Sequence, residues 1–133
     1  MNNAAQTYTQ LALAGSSPVG LVVALYDNVL RSLHRARRAI EANDIGRRTQ
    51  HLNHVLSIVA HLQGTLDIQQ GGEVARTLQQ FYIYARARVL EASLTNSKEK
   101  LTDLASHFSS LRAAWQVVES QVPEDLKSIP GRA

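Results

Sequence analysis

Between Pro18 and Val118 apolar residues recur every three or four positions in four successive blocks, and no stretch alternates apolar with polar residues. A period near 3.6 gathers such residues on one face of an α-helix, whereas a half-buried strand needs a period of two. A chain patterned this way buries itself helix against helix. Glycine and proline interrupt the pattern only at Gly15 and Pro18, at Gly20 and Gly46, at Gly64 and the Gly71-Gly72 pair, and at Pro123, Pro130 and Gly131.

Ser17-Pro18 predicts a helix start, because the serine hydroxyl can cap free amides and proline at the first helical position forfeits no useful hydrogen bond. Val22, Leu25, Tyr26, Val29, Leu33, Ala36 and Ile40 then share one face, so the first helix is expected over Pro18 to Ala42. Asn43-Asp44 ends it and caps a second, with Ile45, Leu52, Val55, Leu56, Val59, Leu62 and Leu66 inward. Gly71-Gly72 predicts a chain reversal, with Glu73 opening a third helix whose core stripe is Val74, Leu78, Phe81, Tyr82, Ala85, Val89 and Ala92. Asn96 with Glu99 resembles a capping box for a fourth, carrying Leu101, Leu104, Ala105, Phe108, Leu111, Trp115 and Val118. Connections this short favour antiparallel neighbours. The expected fold is all-α, an antiparallel up-down four-helix bundle over residues 17–121, with an N-terminal capping tail at 1–16 and a flexible C-terminal tail at 122–133.

The 133 residues suffice for one domain, and no run of about 18 uncharged apolar residues offers a membrane span. The absence of cysteine removes disulfides, thiolate metal sites and cysteine nucleophiles. Met1 to Gly15 carry no positive charge and no continuous apolar core, so neither a secretory signal nor a transit peptide is expected, and the expected location is the cytoplasm. No Glu-x-x-His pair is present for a di-iron bundle, and no phosphate loop, dinucleotide fingerprint or zinc-protease motif occurs. No catalytic, cofactor-binding or metal site is assigned. His51, His54 and His61 are read as a solvated face, two of them lying two turns apart and poorly placed for one metal.

The net charge is +3, and the six arginines from Arg31 to Arg48 against Glu41 and Asp44 more than account for it. Arg31, Arg35 and Arg38 project opposite the core of the first helix. They form either a solvated basic face or a site for an acidic protein or nucleic acid, although aromatic residues for base stacking are missing there.

The third helix carries more apolar surface than a bundle uses. Ile83, Ala87, Leu90 and Leu94, at i, i+4, i+7 and i+11, form a second stripe about 130° from the core stripe. Val23 and Leu30 on the first helix and Ile58 on the second also lie off their core centres, by about 80 to 100°. This surplus is the candidate binding surface. Its open uses are a homodimer seam, docking of the chain's own tail, in which Tyr8, Leu11 and Leu13 form one apolar side, or a groove for another protein's amphipathic helices.

Taken together, Tyr8, Ser17-Pro18, Leu25-Tyr26-Asp27, Asn43-Asp44, Leu66-Asp67, Gly71-Gly72-Glu73-Val74-Ala75, Tyr82-x-Tyr84, Arg88 and Glu91-Ala92 resemble, in order and spacing, the flagellin-specific export chaperones of bacterial flagella. The likeness covers about residues 8 to 120. The chain departs from that pattern at Val19-Gly20, where acidic residues are common, and at Ser93, where asparagine is. The resemblance implies a non-enzymatic cytoplasmic protein that binds the disordered C-terminal segment of flagellin, prevents premature polymerisation, and delivers the client to a flagellar type III export gate component. No nucleic acid and no direct membrane insertion are expected, and a homodimer is a candidate state without client. The alternative is a homodimeric adaptor, or a regulator using the Arg31, Arg35 and Arg38 face on nucleic acid.

Overall fold

A computed structural model describes residues 18–121; the two tails, with Tyr8, Leu11, Leu13 and the Ser17 cap, lie outside the described residues. Four helices follow one another: α1 Pro18–Glu41, α2 Ile45–Gly64, α3 Ile68–Thr95 and α4 Lys98–Ser120, with no strand among the described residues. Each helix packs on its sequence neighbours, and α4 closes the ring against α1. The broadest contacts are α1 with α4 and α1 with α2, while α3 is held less extensively by α2 and α4. This is the expected antiparallel up-down four-helix bundle.

The connections show how short polar residues divide the capping work. Asn43 takes the left-handed conformation (φ 55°) that releases α1, and Asp44 then accepts from the Arg47 backbone N–H at 3.0 Å to cap α2. The fourth helix repeats the device one residue later than expected. Asn96, at φ 55°, is the C-cap of α3, and Ser97 rather than Asn96 caps α4 by accepting from Lys100 N–H at 3.2 Å.

The third connection departs further from expectation. The chain reverses at Thr65 and Leu66, and Asp67 starts α3 by accepting from Gln70 N–H at 3.1 Å. Gly71-Gly72 lies inside α3, where Gly72 (φ 58°, ψ −134°) breaks the first turn from the rest. Gly71 permits the tight approach beside this break, since a Cβ there would sit 2.6 Å from that of Ala75.

The interior is built on Tyr26, Tyr82 and Phe108, with Leu25, Val29, Leu33, Leu52, Val55, Ile58, Leu101 and Leu104 around them. Phe108 meets Tyr26 edge-on with centroids 5.2 Å apart and Phe81 at 5.0 Å, both favourable quadrupolar arrangements. Asp27 and Arg112 join α1 to α4 by a two-point carboxylate–guanidinium contact, which holds the Arg112 charge and raises its pKa. Three expected core residues are exposed instead: Ile45, Val74 and Val118. Each sits at a helix end or just past the Gly72 break, where little of a neighbouring helix remains to cover it. Leu56 is half-buried at the core edge.

Candidate functional site

The candidate binding residues separate into two groups. Val23 and Ile58 are buried, at 7% and 0% exposure, and Leu30 is half-buried against the core. These three are therefore corrected from surface to interior or its margin. The cause is α1, which packs broadly on both α2 and α4, so a wider arc of α1 and the facing side of α2 are covered than a single stripe supplies.

On α3 the outcome is the opposite. Ile83, Leu90 and Leu94 are 54%, 43% and 87% exposed, and Ala87 between them is also exposed. At 1.5 Å per residue this apolar line runs about 16 Å along the helix. It exists because the core residues Ala75, Leu78, Tyr82, Ala85, Val89 and Ala92 already fill the inward face, leaving the second stripe no place in the bundle.

The edge of α3 that meets α4 is polar and ordered. Tyr84 donates its hydroxyl to Asp103 at 3.3 Å and accepts from Arg88 Nε at 3.1 Å. The Arg88 guanidinium also bonds Glu91 at 3.0 Å and stands 5.5 Å from the Tyr84 ring centroid. The hydrogen bonds that Arg88 donates to Tyr84 and Glu91 raise its pKa, so it stays charged. His107 on α4 faces Asp103 at 3.6 Å and stacks edge-on with Tyr84 at 5.8 Å. Periodicity did not single out this cluster. Its signal was the spacing of Tyr84, Arg88 and Glu91 at i, i+4 and i+7, which places all three on one side of α3. The apolar line is thus bordered by side chains already held in place by one another.

His51, His54 and His61 are half-buried rather than solvated. Burial, then Arg35 and Arg47, lowers the pKa of His51; burial, then His51 and Arg35, lowers that of His54. Among the described residues no group of His, Asp and Glu is arranged to hold a metal ion, and no helix is long and apolar enough to cross a membrane. Arg31, Arg35 and Arg38 are exposed, as their helical phase requires.

Comparisons with known proteins extend over the whole bundle. The family model described as "Flagellar protein FliS" matches residues 1–122. The chain is 30% identical over 115 residues to the flagellar secretion chaperone FliS of Salmonella typhimurium, covering 86% of this chain and 85% of that protein. It is 31% identical over 119 residues to the chaperone of the same name from Campylobacter jejuni, covering 90% and 93%. The Bacillus subtilis flagellar secretion chaperone FliS is 25% identical over 122 residues. A family model that spans the entire bundle, joined by relatives aligned over nearly their full lengths, places the chain in the flagellar protein FliS family.

Proposed function

We propose that this protein is a flagellar export chaperone that binds the C-terminal segment of flagellin along the outer face of α3. The observation that carries the reading is the exposed line of Ile83, Ala87, Leu90 and Leu94 in a chain of this family. Burying an exposed Ile or Leu side chain contributes about 1.5 to 3 kcal/mol. Fixing each backbone residue of a disordered client costs about 1 to 2 kcal/mol. Three large residues on α3 therefore cannot order a client by themselves. The client must bring apolar residues of its own at three- and four-residue spacing, as an amphipathic helix does. Sequestering a segment needed for self-association would block premature polymerisation without any covalent chemistry. Delivery to the export gate is the second half of the role, and the cytoplasm is where it takes place.

The same reading assigns Tyr8, Leu11 and Leu13, one apolar side of the N-terminal segment in the sequence, to this surface. In this reading they cover part of the apolar line before a client arrives and are displaced by it, and a homodimer through α3 is the competing client-free state, favoured when the tail is removed. Co-expression with the cognate flagellin, followed by size-exclusion light scattering, should give a 1:1 complex. Ile83→Asp and Leu90→Asp should weaken that complex while circular dichroism stays that of the parent. Folded variants that bind flagellin as tightly as the parent overturn the α3 assignment.

A further inference from the structure

An open cleft of about 620 Å³ lies where the end of α1 meets the start of α2, walled by Arg35 and Arg38 from α1 and by Asp44, Arg47, Gln50 and His51 from the α2 side. Asp44 is the one carboxylate on this wall and is already engaged. It caps α2 through Arg47 N–H at 3.0 Å and faces Arg47 Nε at 3.7 Å. Among the described residues no carboxylate pairs with Arg35 or Arg38. Burial first, and then the positive charges of Arg35 and Arg47, lower the pKa of His51 on the same wall. Two uncompensated guanidiniums and a third partly compensated one thus share a concave surface.

We infer that the α1–α2 seam docks an acidic, Asp- or Glu-bearing segment of a second protein. The basic line is longer than one small anion requires, because Arg31 continues it a turn beyond Arg35, and Arg31 to Arg38 span about 10 Å of helix. Successive carboxylates at helical spacing match it, and the guanidinium fork binds each in two-point fashion. No Phe, Tyr or Trp lines the cleft and its single aromatic ring is the imidazole of His51, so successive nucleobases find no run of stacking partners and a nucleic acid would be held mainly by phosphate. The outer face of α1 also lies diagonally across the bundle from that of α3, since α1 and α3 make no close backbone approach. An acidic partner can therefore be held while the α3 line is occupied. The inference stands whether or not α3 binds flagellin.

The test uses the full chain and fluorescein-labelled deca-glutamate, followed by anisotropy at low salt. The parent should bind, and raising the salt should weaken binding steeply. Arg35→Gln, Arg38→Gln and Arg47→Gln combined should lower affinity at least tenfold with an unchanged circular dichroism spectrum. Ile83→Asp, on the opposite face, should leave it unaltered, and the ring signals of His51 should shift on titration of the parent. Failure of the parent to bind, or equal affinity in the triple variant, overturns the inference. Tighter binding of an oligothymidylate of equal charge also overturns it, in favour of a phosphate ligand.

Discussion

The hydroxyl oxygens of Tyr26 and Tyr82 lie 2.7 Å apart in the interior, a polar bond between α1 and α3, the helices that face each other across the bundle. Trp115 Nε1 donates to the same Tyr26 oxygen at 3.3 Å, so α4 joins the pair. Burial raises the pKa of both tyrosines, which therefore remain neutral phenols. Removing the Tyr26 oxygen strands two partners, whereas removing that of Tyr82 strands one. An unsatisfied buried group costs about 1 to 3 kcal/mol. Tyr26→Phe should therefore destabilise more than Tyr82→Phe, and the double variant should cost less than the sum of the two. Urea unfolding, read from the fluorescence of the single tryptophan, measures all three.

The corrected interior gives a second expectation. Phe108→Ala should lower stability by about 3 to 5 kcal/mol and Ile58→Ala by about 2 to 5, since both side chains are fully buried. Leu56→Ala, at the core edge, should cost less than Ile58→Ala. Val23→Asp should unfold the protein rather than selectively impair binding. Melting curves and circular dichroism separate these outcomes, and a Val23→Asp variant that folds like the parent would return that position to the surface.

The glycines offer a sharper contrast. Gly72→Ala forces a side chain onto backbone at φ 58°, ψ −134°, a conformation residues other than glycine rarely adopt, and should cost about 1 to 3 kcal/mol. Gly64→Ala, where a Cβ meets nothing within 4 Å, should stabilise by about 0.5 to 1 kcal/mol through helix propensity. Chemical denaturation of the two variants tests this, and similar changes in both would contradict it.

Acid should weaken the bundle through His51 and His54, whose pKa values are lowered from 6.5 by burial first and by nearby positive charge second. Above pH 6.5 both states are neutral at these rings, and the histidines contribute nothing. As pH falls below 6.5 the unfolded chain takes up protons before the folded one, so stability declines until the folded values are passed. The melting temperature should drop across this window, and His51→Gln with His54→Gln should flatten the drop. An unchanged slope in the double variant would place the acid sensitivity elsewhere.

How far the residues alone foretold this structure depended on the range of the forces involved. The span of α1 and the Asn43-Asp44 connection were legible because caps and proline act locally. Gly71-Gly72 was legible as a break but misled as a chain reversal, because Asp67 caps a helix that starts at Ile68, five residues ahead of Glu73, and the reversal falls at Thr65 and Leu66. Asn96 and Ser97 can both cap, and the tolerance of asparagine for positive φ assigned them in order. The exposure of the Ile83 stripe was legible because it lies about 130° around α3 from the core stripe, beyond the reach of the two helices that pack on it. Val23, Leu30 and Ile58 were not, because the width of the covered arc depends on how closely the adjoining helices pack. The cleft at Arg35 and Arg47 likewise joins residues whose proximity only the docking of α1 on α2 creates.

The Asp27–Arg112 contact closes a loop of most of the chain, and it belongs to the α1–α4 interface, one of the two broadest in the molecule. During synthesis that interface has no second side until the last helix has emerged. The α1–α2 hairpin can assemble early, from residues near in sequence, but the side of α1 that carries Asp27 and the phenol of Tyr26 must wait for Arg112 and Trp115. Completion of the bundle therefore waits for α4, and a ribosome-bound chain that stops short of it would leave that side of α1 uncovered.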